Sequence, residues 1–447
     1  NETRMTASDD SVKTDAIVVG GGPAGLSAAL SMAQAGLGVI LVERGEYAGA
    51  KNVGGLVYGT VLNRLIPNAF EKAPIERPVS RRSLVMLGGS EHVALDFGAD
   101  EWSRPPFNHT YIVHRAQFDR WFASQADAAG ASLLEGMVAE EVLMEGSNGD
   151  RRAVGVKLRG DEIIHADVIV LADGANCLVS EKARTDLGMK PGRIPQEYAV
   201  GVKEIIGLPK GTIEDRFNLE EGEGAAVDFF GVPFEGLIGG GFLYTGRDAI
   251  HLGFAARIES LTHAGISPND ILTRLKQHPL VRKYIRGGEL LEYSAHMIPE
   301  GGYRAIPELA GNGVLIAGDA AGLVNMSLYK EGTNHAMESG AAAGETIAEL
   351  KAKGDWSAKA LQRYTERLCG GVAFQDLKRY SRVPDVLTRS PNLLSLYPKK
   401  VNRMLIDYFT CLPEPKKATQ RRALRNFLSG LPKFQFVRDL IRARHLA

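Results

Sequence analysis

Three acidic residues of this chain each close an apolar run beside glycine: Glu43, Asp173 and Asp319. A carboxylate at the end of a buried strand is costly unless something binds it. The first sits in the fullest setting. The run Ala16-Ile17-Val18-Val19 enters Gly20-Gly21-Gly22-Pro23-Ala24-Gly25, continues as the Ala-rich "LSAALSMAQAG", and is followed by Val39-Ile40-Leu41-Val42 and Glu43. Each part has a physical task. Gly20 makes a tight turn, Gly22 lets backbone approach a pyrophosphate, and Gly25 lets a helix pack on a strand. The helix N-terminus offers free N–H groups to an anion. Glu43 is placed to accept from ribose hydroxyls, where a carboxylate would repel a 2′-phosphate. This unit points to a dinucleotide, and by itself leaves NAD and FAD open.

The other two acids need similar supports. "HADVIVLADGAN" (165–176) and "GNGVLIAGDAAGLVN" (311–325) each read as a buried parallel strand ending at an aspartate, and open α/β sheets bind ligands at such strand ends. Asp319 suits a polyol hydroxyl, and the N–H groups after it suit a flavin's pyrimidine edge. The bland alternatives are a helix N-cap for Asp319, ahead of the helical run "HAMESGAAAGETIAELKAKG", and an ordinary Asp-Gly turn for Asp173-Gly174.

Composition removes several classes. At 447 residues with formal net charge zero, two or three domains are expected and wholesale nucleic-acid binding is disfavoured. Cys177, Cys369 and Cys411 lie far apart with no CxxC pair, so the chain alone builds neither an iron–sulfur cluster nor a zinc site, and a reducing compartment is suggested. No metal is expected. No apolar run reaches the length of a membrane-spanning helix, no signal peptide is visible, and Met5 is the expected natural start. The second triple glycine, Gly239-Gly240-Gly241, is followed by the strand-like "AIHLGFAA" and no helix, so a separate NAD domain is not expected.

Together the GxGxxG with Glu43, the "ADG" at 172–174 and the "GD" at 318–319 resemble the motifs of the glutathione-reductase-type FAD flavoproteins. Further along, "GGGFLYTGRDAIHLGFAA", "HPLVRKYIRGGELLEYSAHMIPEGGYRAIPEL" and "GDAAGLVNMSLYKEGTNHAMESG" resemble the electron transfer flavoprotein–quinone oxidoreductases. "GAKNVGGLVYG" (Gly49–Gly59) is similar to the loop that family runs beside its isoalloxazine. The ferredoxin-like domain that ends those enzymes has no counterpart here, an arrangement similar to the FixC or EtfC flavoproteins of FixABCX (EtfABCX) electron-bifurcating complexes.

The resemblance implies an FAD held by Gly20, Gly22, Pro23, Ala24, Gly25, Glu43, Arg44, Val138, Asp173, Gly174, Gly318 and Asp319. Gly54, Gly55, Lys330, Gly332 and Thr333 are implied near the isoalloxazine, each with a plain turn as its alternative. Arg115 stands where related flavoproteins place an arginine near FAD; with Asp119 at i+4 it equally suits a solvated helix ion pair. No catalytic side chain is required, because the chemistry is on FAD. The implied partners are a quinone, electron transfer flavoprotein subunits (FixA/FixB-like) and a small ferredoxin-like iron–sulfur subunit (FixX-like). His114, His296 and His335 are considered for quinone protonation against structural roles. The tail from Pro391 carries twelve Lys and Arg against three acids among Leu, Ile, Phe and Tyr. It suits an anionic membrane surface, an acidic partner, or ordinary packed helices with cationic outer faces.

The expected fold is α/β with an α+β insert. A discontinuous Rossmann-type FAD domain (1–80, 105–185, 305–360) carries an antiparallel-sheet quinone-side domain (81–104, 186–304) and a helical C-terminal region (361–447). The expected location is cytoplasmic, peripheral at the inner face of the membrane. Rival readings are a geranylgeranyl-type prenyl reductase, whose YxWxFP block is absent around Trp102, Trp121 and Trp356, an aromatic hydroxylase, and a non-enzymatic flavin-binding subunit.

Overall fold

The computed structural model describes residues 12–50, 53–147, 150–192 and 197–446; Met5 and the Lys51-Asn52 step of the "GAKNVGG" segment lie outside them. The first apolar run is a strand over Val12–Val19, buried along its last four residues. Parallel strands flank it: Val39–Glu43 on one side and Ile163–Leu171 on the other, with Val19 opposite both Val42 and Leu171. Val314–Ile316 adds beyond the second and Ser132–Glu135 beyond the first. The strand ends leading into Gly20, Glu43, Asp173 and Asp319 therefore share one edge of an eight-stranded sheet.

The glycine loop opens the helix Pro23–Gln34, which packs on the long helix Thr333–Lys351. A Cβ at Gly340 would lie 1.9 Å from the Ala24 carbonyl oxygen, so the small residues of both helices are what let the backbones meet.

The second sheet has nine strands and runs Glu289–Pro299, Tyr198–Gly207, Ala249–Arg257, Gly239–Thr245, Gly224–Gly231, Ile75–Leu87, Thr110–His114, Gly54–Tyr58, with His92–Gly98 on Ile75–Leu87. All its pairings are antiparallel except that of Gly224–Gly231 with Ile75–Leu87. Alternation divides its faces. Val202, Leu252 and Phe254 join Ile271 and Leu275 of a covering helix in a second core. Gly201, Lys203, Phe242 and Tyr244 point the other way, toward the strand ends of the first sheet. Sheets and cores divide the chain differently. Gly54–Tyr58 and Thr110–His114 hydrogen-bond into the second sheet, while their Val57, Tyr111 and Val113 side chains pack in the first core. The strand Ile75–Leu87 crosses the expected boundary at residue 80.

The C-terminal region is a series of short helices: Ala358–Gly370, Val372–Arg379, Val383–Arg389, Leu396–Phe409, Lys416–Leu428 and Lys433–Ala443. Buried Asp439 ties them by accepting from Ser390 Oγ (2.8 Å) and Tyr397 OH (2.7 Å), and Asn402 Nδ2 donates to the Met86 carbonyl (2.8 Å) of the second sheet. Among the described residues no helix is long and apolar enough to cross a membrane.

Candidate functional site

Between the shared strand edge of the first sheet and the inner face of the second lies one cavity of about 640 Å³. Its first wall is backbone. Gly20 has φ +107°, and a Cβ there would sit 2.3 Å from the Ala172 carbonyl oxygen; at Gly25 it would sit 1.8 Å from the Gly20 carbonyl oxygen. Neither glycine lines the cavity, and both shape the loop that does. Gly22 faces the cavity, where a Cβ meets nothing within 4 Å. It precedes Pro23 and Ala24, which also line the cavity, at a helix start with no side-chain cap. Its amide end is thus aimed into open space, as an anion site requires.

The three acids are used in three ways. Glu43 Oε2 accepts from Gly21 N (2.7 Å) and Oε1 from Gly45 N (2.6 Å), so each oxygen locks the loop and keeps lone-pair capacity for a further donor. Asp173 lines the cavity with Gly174, yet its carboxylate accepts from the amides of Val179 (3.0 Å) and Ser180 (3.2 Å) and from Ser180 Oγ, capping the helix Leu178–Asp186. Asp319 caps nothing. It lies in a single tight turn, Gly318–Ala321, fixed by Gly318 N donating to Ser339 Oγ (2.9 Å) and by buried Arg184 Nη2 donating to the Ala320 carbonyl (2.9 Å). Among the described residues its carboxylate has no hydrogen-bond partner and opens on the cavity, and burial raises its pKa against the opposing pull of Arg115. A half-buried acceptor held rigidly toward the cavity is a binding group in search of a donor.

Arg115 also lines the cavity, held by bidentate bonds to Asp119, Nε–Oδ1 2.8 Å and Nη2–Oδ2 2.6 Å. The pair is buried, so the solvated ion pair expected as its alternative does not form. Exposed Arg44 stands at the cavity edge. Val138 is off the wall: its carbonyl accepts from Arg159 N (2.8 Å), beside Met137, whose N–H donates to the Glu43 carbonyl (3.0 Å).

Gly54, Gly55, Lys330, Gly332 and Thr333 all line the cavity. Lys330, in a left-handed turn at φ +52°, pairs with Asp228 of the second sheet. The neighbouring Glu331 carboxylate accepts from Asn325 Nδ2 (2.9 Å) and Asn334 Nδ2 (2.8 Å), with His335 and Asp376 close by. Of the three histidines considered, His296 lines the cavity. His114, which does not line it, bonds Glu292 (2.9 Å), and burial pushes His335 down to about 4.

The second wall holds groups the sequence did not single out. Lys203 donates to the Gly54 carbonyl, and burial, with Arg115 nearby, pushes its amine down to about 8. Tyr58 accepts from Arg82 Nη2 (2.9 Å) and donates to the Tyr329 carbonyl (2.8 Å). Glu300 lies 3.8 Å from Arg257, and burial pushes it up to about 7 despite Arg257 and Lys330. The available signal was Gly201 and Lys203 standing two apart in "YAVGVKEIIG", on one face of a strand.

Residues 15–191 match the FAD dependent oxidoreductase family, 198–298 the ETF-QO, ubiquinone-binding family, and 383–445 the ETF-QO/FixC family C-terminal domain. The chain is 41% identical to the probable electron transfer flavoprotein-quinone oxidoreductase YdiS of Escherichia coli K12, over 93% of this chain and 94% of that one. It is 39% identical to Protein FixC of Bradyrhizobium diazoefficiens, again over 93% and 94%. A geranylgeranyl bacteriochlorophyll reductase-like protein from Thermoplasma acidophilum shares the fold, with TM-score 0.72 over 98% of this chain and 100% of that one at 18% identity. Open backbone at Gly22 and an unpartnered carboxylate at Asp319 fit the FAD these matches call for. With the FAD dependent oxidoreductase match, the ETF-QO, ubiquinone-binding match and the FixC-type C-terminal match in one chain, the protein is an FAD-dependent oxidoreductase that belongs to the ETF-QO/FixC family.

Proposed function

We propose that this chain relays electrons from an electron transfer flavoprotein or a ferredoxin-like iron–sulfur partner to a membrane quinone. The observation that carries the reading is that one cavity is walled both by the dinucleotide loop and by the sheet matched to ubiquinone binding. FAD, when bound, accepts electrons singly or in pairs. The chain's part is to hold it and to keep water from the transfer. In this reading Gly22 and the amides after it take the pyrophosphate, Glu43 the adenosine ribose, and Asp319 the ribityl chain. Gly54, Gly55 and the 330–333 turn border the isoalloxazine, and the Gly201–Lys203 and Phe242–Tyr244 face receives the quinone. Residues 1–80, 105–185 and 305–360 serve FAD, and 81–104 and 186–304 serve the quinone.

A quinone dissolved in lipid needs an entrance near the bilayer. Val383, Leu387, Leu394 and Leu446 of the C-terminal region line the cavity, and the same region exposes Phe409 (76%) and Phe434 (95%) beside its lysines and arginines. That surface suits peripheral attachment to anionic lipid, and the reading puts the chain on the cytoplasmic side of the membrane. In this reading a FixX-like subunit brings the iron–sulfur cluster and FixA/FixB-like subunits the electrons. The test is anaerobic reoxidation of the reduced protein by a quinone analogue, compared with a prenyl-lipid substrate and with oxygen plus a phenol. Reoxidation chiefly by quinone supports the relay; saturation of prenyl double bonds overturns it.

A further inference from the structure

The inner face of the second sheet carries a row of titratable groups for which holding a cofactor gives no use. Ile205 has His251 opposite it on one neighbouring strand and Glu292 on the other. Directly opposed residues point to the same face, and Lys203, two positions away, shares it. Glu292 is 42% exposed and bonds His114 Nε2 at 2.9 Å. His114 is the cross-strand partner of Gly54, and among the described residues its buried Nδ1 has no partner. His251 is 1% exposed, and its Nδ1, also without a partner among the described residues, packs against Gly54 so closely that a Cβ there would lie 2.3 Å away. Lys203 donates to the Gly54 carbonyl and lines the cavity. Three bases thus converge on one glycine, and the outermost reaches solvent through a carboxylate.

We propose that Lys203 is the proton donor to the quinone and that Glu292, His114 and His251 resupply it from solvent. The inference rests on the quinone reading above and adds to it the source of protons. Conversion of a quinone to its hydroquinone takes two electrons and two protons. Both electrons and one proton belong to the cofactor's own chemistry. The second proton comes from Lys203 Nζ: its N–H bond breaks as the quinol O–H forms, and the neutral amine is then reprotonated through His251. Burial holds His251 neutral, its pKa pushed down to about 3, and a neutral imidazole passes a proton by accepting at one ring nitrogen and releasing from the other. Among the described residues, Arg115 from the first wall and His251 from the sheet, itself beside His114, feel the Lys203 charge, and Asp319, Glu300, Lys330, His296 and Tyr244 line the same cavity. Burial and Arg115 bring its amine to about 8, so it can both give and regain a proton near neutrality. A lysine donates only while protonated, so the donor population falls as pH rises through about 8.

The test compares three oxidants on the reduced holoprotein: a quinone analogue and oxygen, which both take up protons, and ferricenium, which takes only an electron. Lys203→Arg keeps the positive charge but cannot release a proton. It is expected to retain flavin, to slow quinone and oxygen reoxidation at least tenfold, and to leave ferricenium unchanged. Glu292→Gln, at the rim, should slow quinone several-fold and recover in added imidazole; it carries the test if Lys203→Arg fails to fold. Independently of turnover, acetylation of Lys203 read by mass spectrometry should titrate near pH 8. Equal slowing with all three oxidants, no slowing with any, or no titration of Lys203 between pH 7 and 9 overturns the relay. A wild-type protein reoxidised by oxygen and ferricenium but not by quinone overturns the quinone reading instead, and the oxygen comparison then decides the relay.

Discussion

The two walls of the cavity are built by different means. The first is mostly backbone: glycines that admit no side chain, a bare helix start, and carboxylates that hold loops or stand ready for a ligand. The second is side chains placed by strand alternation, with Lys203, Tyr58 and Glu300 shifted by burial. A backbone wall fixes where a cofactor lies and tolerates little change; a side-chain wall sets proton and electron chemistry and can be altered one group at a time.

Substitution should separate the walls, most sharply at the glycine loop. Gly25→Val drives a branched side chain into the Gly20 carbonyl and should cost more than about 4 kcal/mol, removing folded, yellow protein together. Gly22→Val, three residues earlier, should leave the apoprotein's melting temperature within about 2 °C and abolish flavin retention, because its side chain enters only the cavity.

Glu300 on the second wall should act through pH. Its folded pKa is raised to about 7 from 4.5, so the folded form binds the extra proton between these values and stability falls as pH rises through that window. Glu300→Gln should remove a loss on the order of 3 kcal/mol, read as a flatter dependence of apoprotein melting on pH between 4.5 and 7.

The two strand-end aspartates give the next contrast. Asp319→Ala should weaken FAD binding about 10- to 100-fold while leaving the apoprotein equally or more stable, since it removes a half-buried carboxylate with no hydrogen-bond partner among the described residues. Asp173→Ala should instead destabilise the apoprotein by about 1–2 kcal/mol through the lost helix cap. Titration calorimetry with FAD and melting of the apoprotein measure both.

Smallest in stability is Phe434→Asp. At 95% exposure it should change melting by less than about 0.5 kcal/mol equivalent. Co-sedimentation with anionic vesicles should fall several-fold if the tail meets lipid.

The first wall was legible because its requirements are local. Strand, turn, helix and acid follow one another within Ala16–Glu43, and the strand ends at Asp173 and Asp319 repeat the apolar pattern. What could not be read was how each acid is spent. Capping by Asp173 depends on where the helix Leu178–Asp186 begins, and the freedom of Asp319 depends on Ser339 and Arg184 fixing its turn from other segments. Burial of the Arg115–Asp119 pair was hidden for the same reason: an i,i+4 spacing does not say which helix face is covered. The second wall was illegible residue by residue. Lys203 meets Gly54, and Tyr58 meets Arg82 and Tyr329, only because strands distant in sequence lie side by side.

If the two walls enclose a single site for flavin and quinone, a bulky side chain on the second wall should block quinone without displacing flavin. Ala255 lines the cavity from the second sheet, away from the dinucleotide loop. Stopped-flow reoxidation of the photoreduced protein by a quinone analogue should saturate with quinone concentration. Ala255→Phe should raise the half-saturating concentration at least tenfold without changing flavin content. Reoxidation that stays linear in quinone, or is indifferent to Ala255→Phe, would contradict a shared cavity.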